Sequence, residues 1–324
     1  MTPDPSPRSR EDRPSASALA QTVPLTREGD TAKRRRSQPS ALERSDGHSG
    51  GGSDPPLAHP TPPFFDRPDA LGRRVVLPQP PRRIVSLVPS QTELLADLGL
   101  DAEVVGLTRF CVHPDGWKAR KAIVGGTKNV DPERVRALAP DLAIANKEEN
   151  VREQVEAIAA FCPVWTTNVE TVDDSLAMIR DLGALVDRQR QADRLADAVG
   201  EGFRALPEWP PLRALYLIWR DPWMSVGHDT IIADVMTRAG LDNVVGDQAR
   251  YPSLTDAEIG ALAPEVVLLS SEPYPFAQKH IAEVQALAPD ARVVLVDGEA
   301  FSWYGSRLLH TPDALRPLRA ALAA

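Results

Sequence analysis

The chain is poor in cysteine. Cys111 and Cys162 are its only two, and with no ligand or redox spacing between them they suit neither a disulfide framework nor a thiolate metal site, so two buried thiols are expected. No stretch approaches the roughly 18 to 20 uninterrupted apolar residues of a transmembrane helix, which excludes a membrane-spanning segment. There is no Gly-x-Ser-x-Gly elbow, no phosphate-binding Gly-x-x-x-x-Gly-Lys-Ser/Thr loop and no His-Glu-x-x-His motif. No catalytic residue, metal ligand or resident cofactor is therefore assigned. The six histidines are scattered singly, and Cys111-x-His113 is too short a pattern for a metal site. Excess positive charge is also missing. The net charge is -8, and residues 1 to 70 hold ten Lys/Arg against ten Asp/Glu, so the whole imbalance belongs to the remainder. An acidic body argues against nucleic-acid binding as the main role.

Residues 1 to 70 are rich in Pro, Ser, Gly, Arg and Asp and almost free of aromatics before Phe64. Such a composition buries too little apolar surface to offset chain entropy, so a disordered tail is expected. The run Lys33 to Arg36 invites an export-signal reading, but the residues after it supply no apolar stretch, and none precedes residue 80. As written the chain carries no secretion signal, so on the residues alone a cytoplasmic location is expected if its start is the correct one.

From Arg82 onward short apolar, β-prone runs alternate with helical stretches: Ile84 to Val88, Val104 to Gly106, Ile123-Val124, Leu142 to Ala145 and Val164 to Thr167 before residue 170. After residue 207 come Ala214 to Trp219, Val244 to Gly246, Val266 to Leu269 and Val293 to Val296. This is the grammar of an α/β fold with mostly parallel sheets. Between the halves, Val172 to Leu206 carries apolar residues at helical spacing without a proline, begins at a capping-box-like Thr171 and Asp174, and ends at Pro207. One long helix of roughly 50 Å is predicted. The halves share text: Gly99-Leu-Asp-Ala-Glu-Val-Val-Gly106 echoes Gly240-Leu-Asp-Asn-Val-Val-Gly246, and Ala-Leu-Ala-Pro occurs at 137, 261 and 286. Two similar lobes are predicted, with the chain divided into a tail (1–70), a first lobe (71–170), the connecting helix (171–207) and a second lobe (208–324).

In open α/β sheets the ligand crevice lies beyond the carboxyl ends of the strands. The loops there collect the few aromatics of the chain: Phe110, Trp219, Trp223, Tyr251, Phe301, Trp303 and Tyr304. Flat aromatic faces suit a large, flat, partly apolar ligand. His228, beside Gly227 after Trp223, is placed either to give such a ligand a polar contact or to bond a backbone carbonyl.

The ordered segments Arg83-Ile-Val-Ser-Leu-Val-Pro-Ser-Gln-Thr-Glu-Leu94, Val105-Gly-Leu-Thr-Arg-Phe110, Asn129-Val-Asp-Pro-Glu133 and Ala139-Pro-Asp-Leu-Ala-Ile144 resemble the helical-backbone class of periplasmic binding proteins. These are the receptors for cobalamin, ferric siderophores and haem that feed ABC importers. The resemblance spans roughly residues 80 to 322 and is nearest to the cobalamin branch. It implies a monomeric, non-enzymatic protein whose two lobes clamp cobalamin or a ferric chelate and deliver it to a permease outside the cytoplasmic membrane, against the location the residues suggest. A loop aromatic of that branch matches Phe110, and a Trp-Pro pair matches Tyr251-Pro252. An acidic ligand-loop position falls on Glu299. Tryptophan positions of the branch fall near Thr127 and Asn146, which departs from the pattern. Of the two glutamates that dock on the permease, the first matches Glu133. The second falls on Ala257, beside Asp256 and Glu258, so Glu258 is its stand-in. A ferric siderophore or haem remains the alternative ligand, since Arg109, Arg220, Arg250 and Arg307 lie near the same loops. A cytosolic enzyme or chaperone of metal-tetrapyrrole metabolism is the rival, and a His–acid pair in the cleft would favour it.

Overall fold

The computed structural model describes residues 62–323; the expected tail up to residue 61, with the Lys33 to Arg36 run, lies outside them. The end of that tail is a correction. β1 (Phe65–Pro68) and β2 (Arg74–Leu77) pair as an antiparallel hairpin, and Phe65, buried, meets Trp165 edge-on at 5.3 Å. Asp69 ties the hairpin down, accepting from the backbone N–H of Leu71 and Arg73 and from the Arg73 guanidinium at 2.8 Å. One aromatic contact and one buried carboxylate order a segment whose average composition predicts none.

β3 (Ile84–Ser86), β4 (Val104–Leu107), β5 (Ala122–Ile123), β8 (Leu142–Asn146) and β9 (Val164–Thr167) form a parallel sheet in the order β5-β4-β3-β8-β9. A small hairpin, β6 (Gly125–Gly126) with β7 (Asn129–Val130), projects beyond it. In the second lobe β10 (Leu212–Leu217), β12 (Leu241–Asn243), β14 (Val266–Ser270) and β15 (Arg292–Val296) make a parallel sheet in the order β12-β10-β14-β15. Its own small hairpin joins β11 (Trp223–Met224) to β13 (Ser253–Leu254). β8 and β14 are buried at every residue, as strands covered by helices on both faces must be. Discounting β5, the strand order is the same in both lobes.

The shared text has a physical reason. Ala139 and Ala263, each just before the proline of its Ala-Leu-Ala-Pro string, both sit at φ 44°, where the short helices Pro132–Ala137 and Asp256–Ala261 turn into β8 and β14. An arginine at the start of the neighbouring strand holds each turn: Arg83 Nη2 donates to the Leu138 carbonyl and Arg213 Nη2 to the Leu262 carbonyl, both at 2.6 Å. A positive charge there also faces the negative end of the helix. The acidic residue that follows, Asp141 or Glu265, accepts the backbone N–H of Arg83 or Arg213 at 2.9 and 2.8 Å. The third copy, at 286, lacks this geometry: Ala288 is extended at φ -130° and the Gln285 amide donates to its carbonyl instead.

The predicted 50 Å helix is two helices. Val172–Leu185 begins at the expected capping box of Thr171 and Asp174, but the chain turns at Asp187, φ 58°, and Gln189–Arg204 runs back along it. Arg180 bridges to Asp197 at 2.7 Å, and Gly183 lies so close to Ala192 that a Cβ there would stand 2.2 Å from it. Each helix buries one face against the other, so apolar residues keep a helical period through both and periodicity alone does not reveal the turn. Aspartate is among the few residues that adopt the left-handed conformation readily. The hairpin still joins the lobes. Val172 donates its N–H to Asp234 of the second lobe at 2.8 Å and Asp173 pairs with Arg238 at 3.1 Å. The division at 208 is also blurred, since the segment after Trp303 returns to the connecting hairpin and the first lobe: Gly305 N–H donates to Ser175 of the hairpin at 2.8 Å, and Arg307 pairs with Glu93 of the first lobe at 2.7 Å. One continuous apolar core runs through both lobes and the hairpin, and a smaller one fills the outer side of the second sheet.

Candidate functional site

Side chains of the two lobes meet beyond the carboxyl ends of the two sheets, through the Tyr251–Glu148, Tyr304–Glu149 and His113–Glu299 pairs, and this meeting is the candidate crevice. The first lobe contributes acids. At the end of β8, Asn146 is buried and its side-chain carbonyl accepts the backbone N–H groups of both Glu148 and Glu149, at 2.8 and 3.1 Å, a turn that asparagine makes readily. Asn150 anchors the far side by donating to the carbonyls of Thr127 and Leu87. Asn146, near which the resemblance has a tryptophan, thus presents two neighbouring carboxyls.

The second lobe answers with hydroxyls. Tyr251 O–H donates to Glu148, and Tyr304 O–H donates to Glu149 at 3.0 Å. Burial is the main force on both carboxyls. It pushes Glu149 up to about 7, with neighbouring Glu148 and Glu272 adding to the rise and the Tyr304 hydroxyl and Lys128 opposing it. Burial likewise raises Glu148, against the pull of Tyr251, Arg250 and Lys128. At the other edge His113 Nε2 lies 3.0 Å from Glu299 and its ring meets Trp303 edge-on at 5.3 Å. Trp303 donates its indole N–H to Glu272 at 2.8 Å, and Ser302 donates to the same oxygen. Burial raises Glu272 too. Gly298 backs directly onto this group; a Cβ there would stand 2.5 Å from both Ser270 Oγ and Glu272 Cγ.

Of the nine ligand residues predicted, Tyr251, Glu299, Trp303 and Tyr304 come together at the crevice. Trp219 stands in the second lobe beside Tyr274, ring centroids 5.8 Å apart. Phe110 lies past the end of β4, its ring against Gly126. The structure occupies the other three elsewhere. Trp223 is a core residue, stacked on Phe276 at 6.3 Å with its indole N–H on Asp256 at 2.7 Å. Phe301 is buried against Tyr216. His228 Nδ1 sits 2.7 Å from the Gln248 carbonyl. Aromatic type marked Trp223 and Phe301, but a strand-end aromatic fills the core as readily as a crevice, and only packing separates the two. Glu93, Glu148, Glu149, Glu272 and His113 were not read as ligand residues. The legible signal was the acidic pair Glu148-Glu149 two residues past the end of β8, where an open α/β sheet carries its loops.

Three of the four arginines kept open for an anionic chelate are spoken for. Arg220 pairs with Glu283, Arg250 with Asp229 at 3.1 Å and Glu170 at 3.4 Å, and Arg307 with Glu93 at 2.7 Å. Cys111 bonds inside the core to Thr92 and Thr108, and both cysteines are free and buried, as expected. Among the described residues no group of three or more His, Cys, Asp or Glu is placed to hold a metal ion, and no helix is long and apolar enough to cross a membrane. Of the two docking positions, Glu133 is exposed in the first turn of its helix. Ala257 occupies the matching place two residues beyond the cap of the second, while Glu258 is held in a capping box by Thr255 at 2.7 Å and its carboxyl is lowered by that bond. A separate cavity of about 240 Å³ lies under the β1–β2 hairpin, lined by Asp69, Trp165, Asn168 and Met178 among others.

A family model described as periplasmic binding protein matches residues 84–294. A vitamin B12-binding protein of Pectobacterium carotovorum is 25% identical over 241 residues, covering 71% of this chain and 85% of that protein. Among solved structures, a periplasmic heme-binding protein in complex with two hemes superposes with a TM-score of 0.67 at 23% identity, covering 76% of this chain and all of that one. The periplasmic vitamin B12-binding protein of Vibrio cholerae gives 0.63 at 19% identity, over 75% and 98% of the two chains.

Proposed function

Since the chain belongs to the periplasmic binding protein family, we propose that it is the substrate-binding protein of an ABC importer and that its ligand is a corrinoid such as cobalamin. The observation that carries the choice of ligand is the charge of the crevice. Arg220, Arg250 and Arg307 are each neutralised by acids of this chain, while Glu148, Glu149 and Glu272 line the meeting of the lobes with their proton affinity raised. An anionic ferric siderophore, or the propionates of haem, would bring negative charge against carboxyls with few cations left to receive it. A corrinoid has an amide-rich rim, which needs acceptors, and a flat apolar face, which suits Trp303 and the rings of Tyr251 and Tyr304. The protein itself need not ligate the metal.

Delivery to a permease would use the two docking positions, with Glu133 as the first. The second contact is weaker, because Ala257 takes the matching place and the Glu258 carboxylate is already engaged. Such a role puts the protein outside the cytoplasmic membrane. The His113–Glu299 pair favours a second reading, an enzyme or chaperone of metal-tetrapyrrole metabolism. Against it, the pair joins the two lobes, and Glu299 also lies 3.7 Å from Arg307, so it serves closure as well as any proton transfer.

Calorimetric titration of the full chain with cyanocobalamin, haemin and a ferric hydroxamate tests the proposal. Saturable one-to-one binding of the corrinoid alone is expected. Binding of haemin or the hydroxamate without the corrinoid would move the ligand and keep the transport role; turnover of a bound tetrapyrrole that stops in His113→Ala would favour the second reading.

A further inference from the structure

The two tyrosine–glutamate bonds do more than close the crevice. Glu148 and Glu149 are carried by the first lobe and Tyr251 and Tyr304 by the second, so a ligand entering between the lobes must part the very groups that meet there. Whatever parts them has to satisfy both sides, because a hydroxyl or carboxyl left unpaired in a partly buried place costs more than the bond was worth. A carboxamide does so without remainder: its N–H donates to the glutamate and its C=O accepts from the tyrosine, so one hydrogen bond becomes two. A carboxylate offers the tyrosine an acceptor but sets a second negative group against the glutamate. An ammonium offers the glutamate a donor but gives the tyrosine O–H nothing.

Gln91, fully buried at the start of the helix Pro89–Asp97, donates through Nε2 to Thr167 and leaves Oε1 with no partner. Thr167 is also bonded by Asn146, the residue that builds the Glu148–Glu149 turn. The network behind the two carboxyls therefore holds one fully buried acceptor without a donor, Gln91 Oε1.

We propose that Tyr251–Glu148 and Tyr304–Glu149 are two slots, each taking one carboxamide of the ligand's rim, and that they make the crevice select uncharged amides over carboxylates. This rests on the corrinoid reading and deepens it, since cobalamin is the member of the three ligand classes with carboxamides around its ring. Lys128, Arg250, Asp229 and Glu272 surround the slots and stay in place in the test variants.

The test compares cyanocobalamin with its monocarboxylic acids, made by mild hydrolysis of single side-chain amides, on wild type, Glu148→Gln and Glu149→Gln. Wild type should bind at least one monocarboxylic acid about tenfold more weakly than cyanocobalamin, the worth of one charged hydrogen bond. A glutamine can accept from an amide and donate to a carboxylate, so in at least one of the two variants the ratio of cyanocobalamin to monocarboxylic-acid affinity should fall by about tenfold, whatever the absolute affinity for cyanocobalamin becomes. A scaffold role would change both affinities together and leave their ratio alone. An unchanged ratio in both variants, with cyanocobalamin bound by wild type, overturns the slots and leaves the corrinoid reading standing. No binding of cyanocobalamin by wild type overturns both.

Discussion

The two lobes are built alike and furnished differently. Arg83 and Arg213, Ala139 and Ala263, Asp141 and Glu265 do the same work at matching places. Glu148 and Glu272 also correspond, each two residues past the end of its strand. Beyond that point the match ends. The first lobe adds Glu149 where the second has Pro273, and the second supplies Tyr251, Trp303 and Tyr304, which the first lacks. Most of what repeats holds the sheets; Glu149, Tyr251, Trp303 and Tyr304, which do not repeat, stand where the lobes meet. An internal comparison of this kind separates scaffold from site without reference to any other protein.

That comparison is broken most severely in the sheets. Ile144→Ala and Leu268→Ala remove matching, fully buried side chains, and each should cost about 3 kcal/mol in urea unfolding. Similar losses would support equal lobes, and a cost confined to one would show that a single lobe carries the stability. Next comes the unmatched acid. The Glu149 carboxyl titrates near 7 when folded against 4.5 when free. Between those values the unfolded chain releases a proton that the folded chain keeps. The stability due to the raised value is therefore complete below about 4.5 and is lost as pH rises through 7. Glu149→Gln has no such loss, so relative to wild type it should gain about 2 kcal/mol between pH 4.5 and 8, somewhat under the full linkage value because the carboxyl keeps some water. Melting curves at the two pH values check this. Glu272→Gln, whose carboxyl is shifted the same way, should move in the same direction.

Smaller effects sharpen the comparison. Arg83→Ala and Arg213→Ala each release a helix-end carbonyl and should cost about 1 kcal/mol apiece, nearly additively. At the docking positions, Glu258→Ala should lose about 1 kcal/mol with its capping box, whereas the exposed Glu133→Ala should stay within about 0.5 kcal/mol. Chemical denaturation resolves the first from the second, and a stability loss in Glu133→Ala equal to that in Glu258→Ala would contradict the distinct roles assigned to them.

The scaffold was legible because its determinants are local: strand runs, capping residues and the repeated Ala-Leu-Ala-Pro string each act within a few neighbours. The turn at Asp187 was hidden because two helices that bury one face each continue a single period. The site was read in part. Tyr251, Glu299, Trp303 and Tyr304 belong to the crevice, but Trp223 and Phe301 carry the same aromatic signal and fill cores, and Glu148 and Glu149 show their importance only when the facing tyrosines are in place. Contacts 103 and 155 residues apart in sequence leave no local trace.

Hydrogen exchange with and without cyanocobalamin tests the central claim, that the ligand sits between the lobes, most directly. Protection is expected at once in residues 146–151 of the first lobe and in 249–253 and 299–305 of the second, with none beneath the β1–β2 hairpin, whose cavity of about 240 Å³ falls below the roughly 300 to 1,000 Å³ of small-molecule sites. Protection around Trp165 and Met178 with both crevice loops unchanged would contradict it.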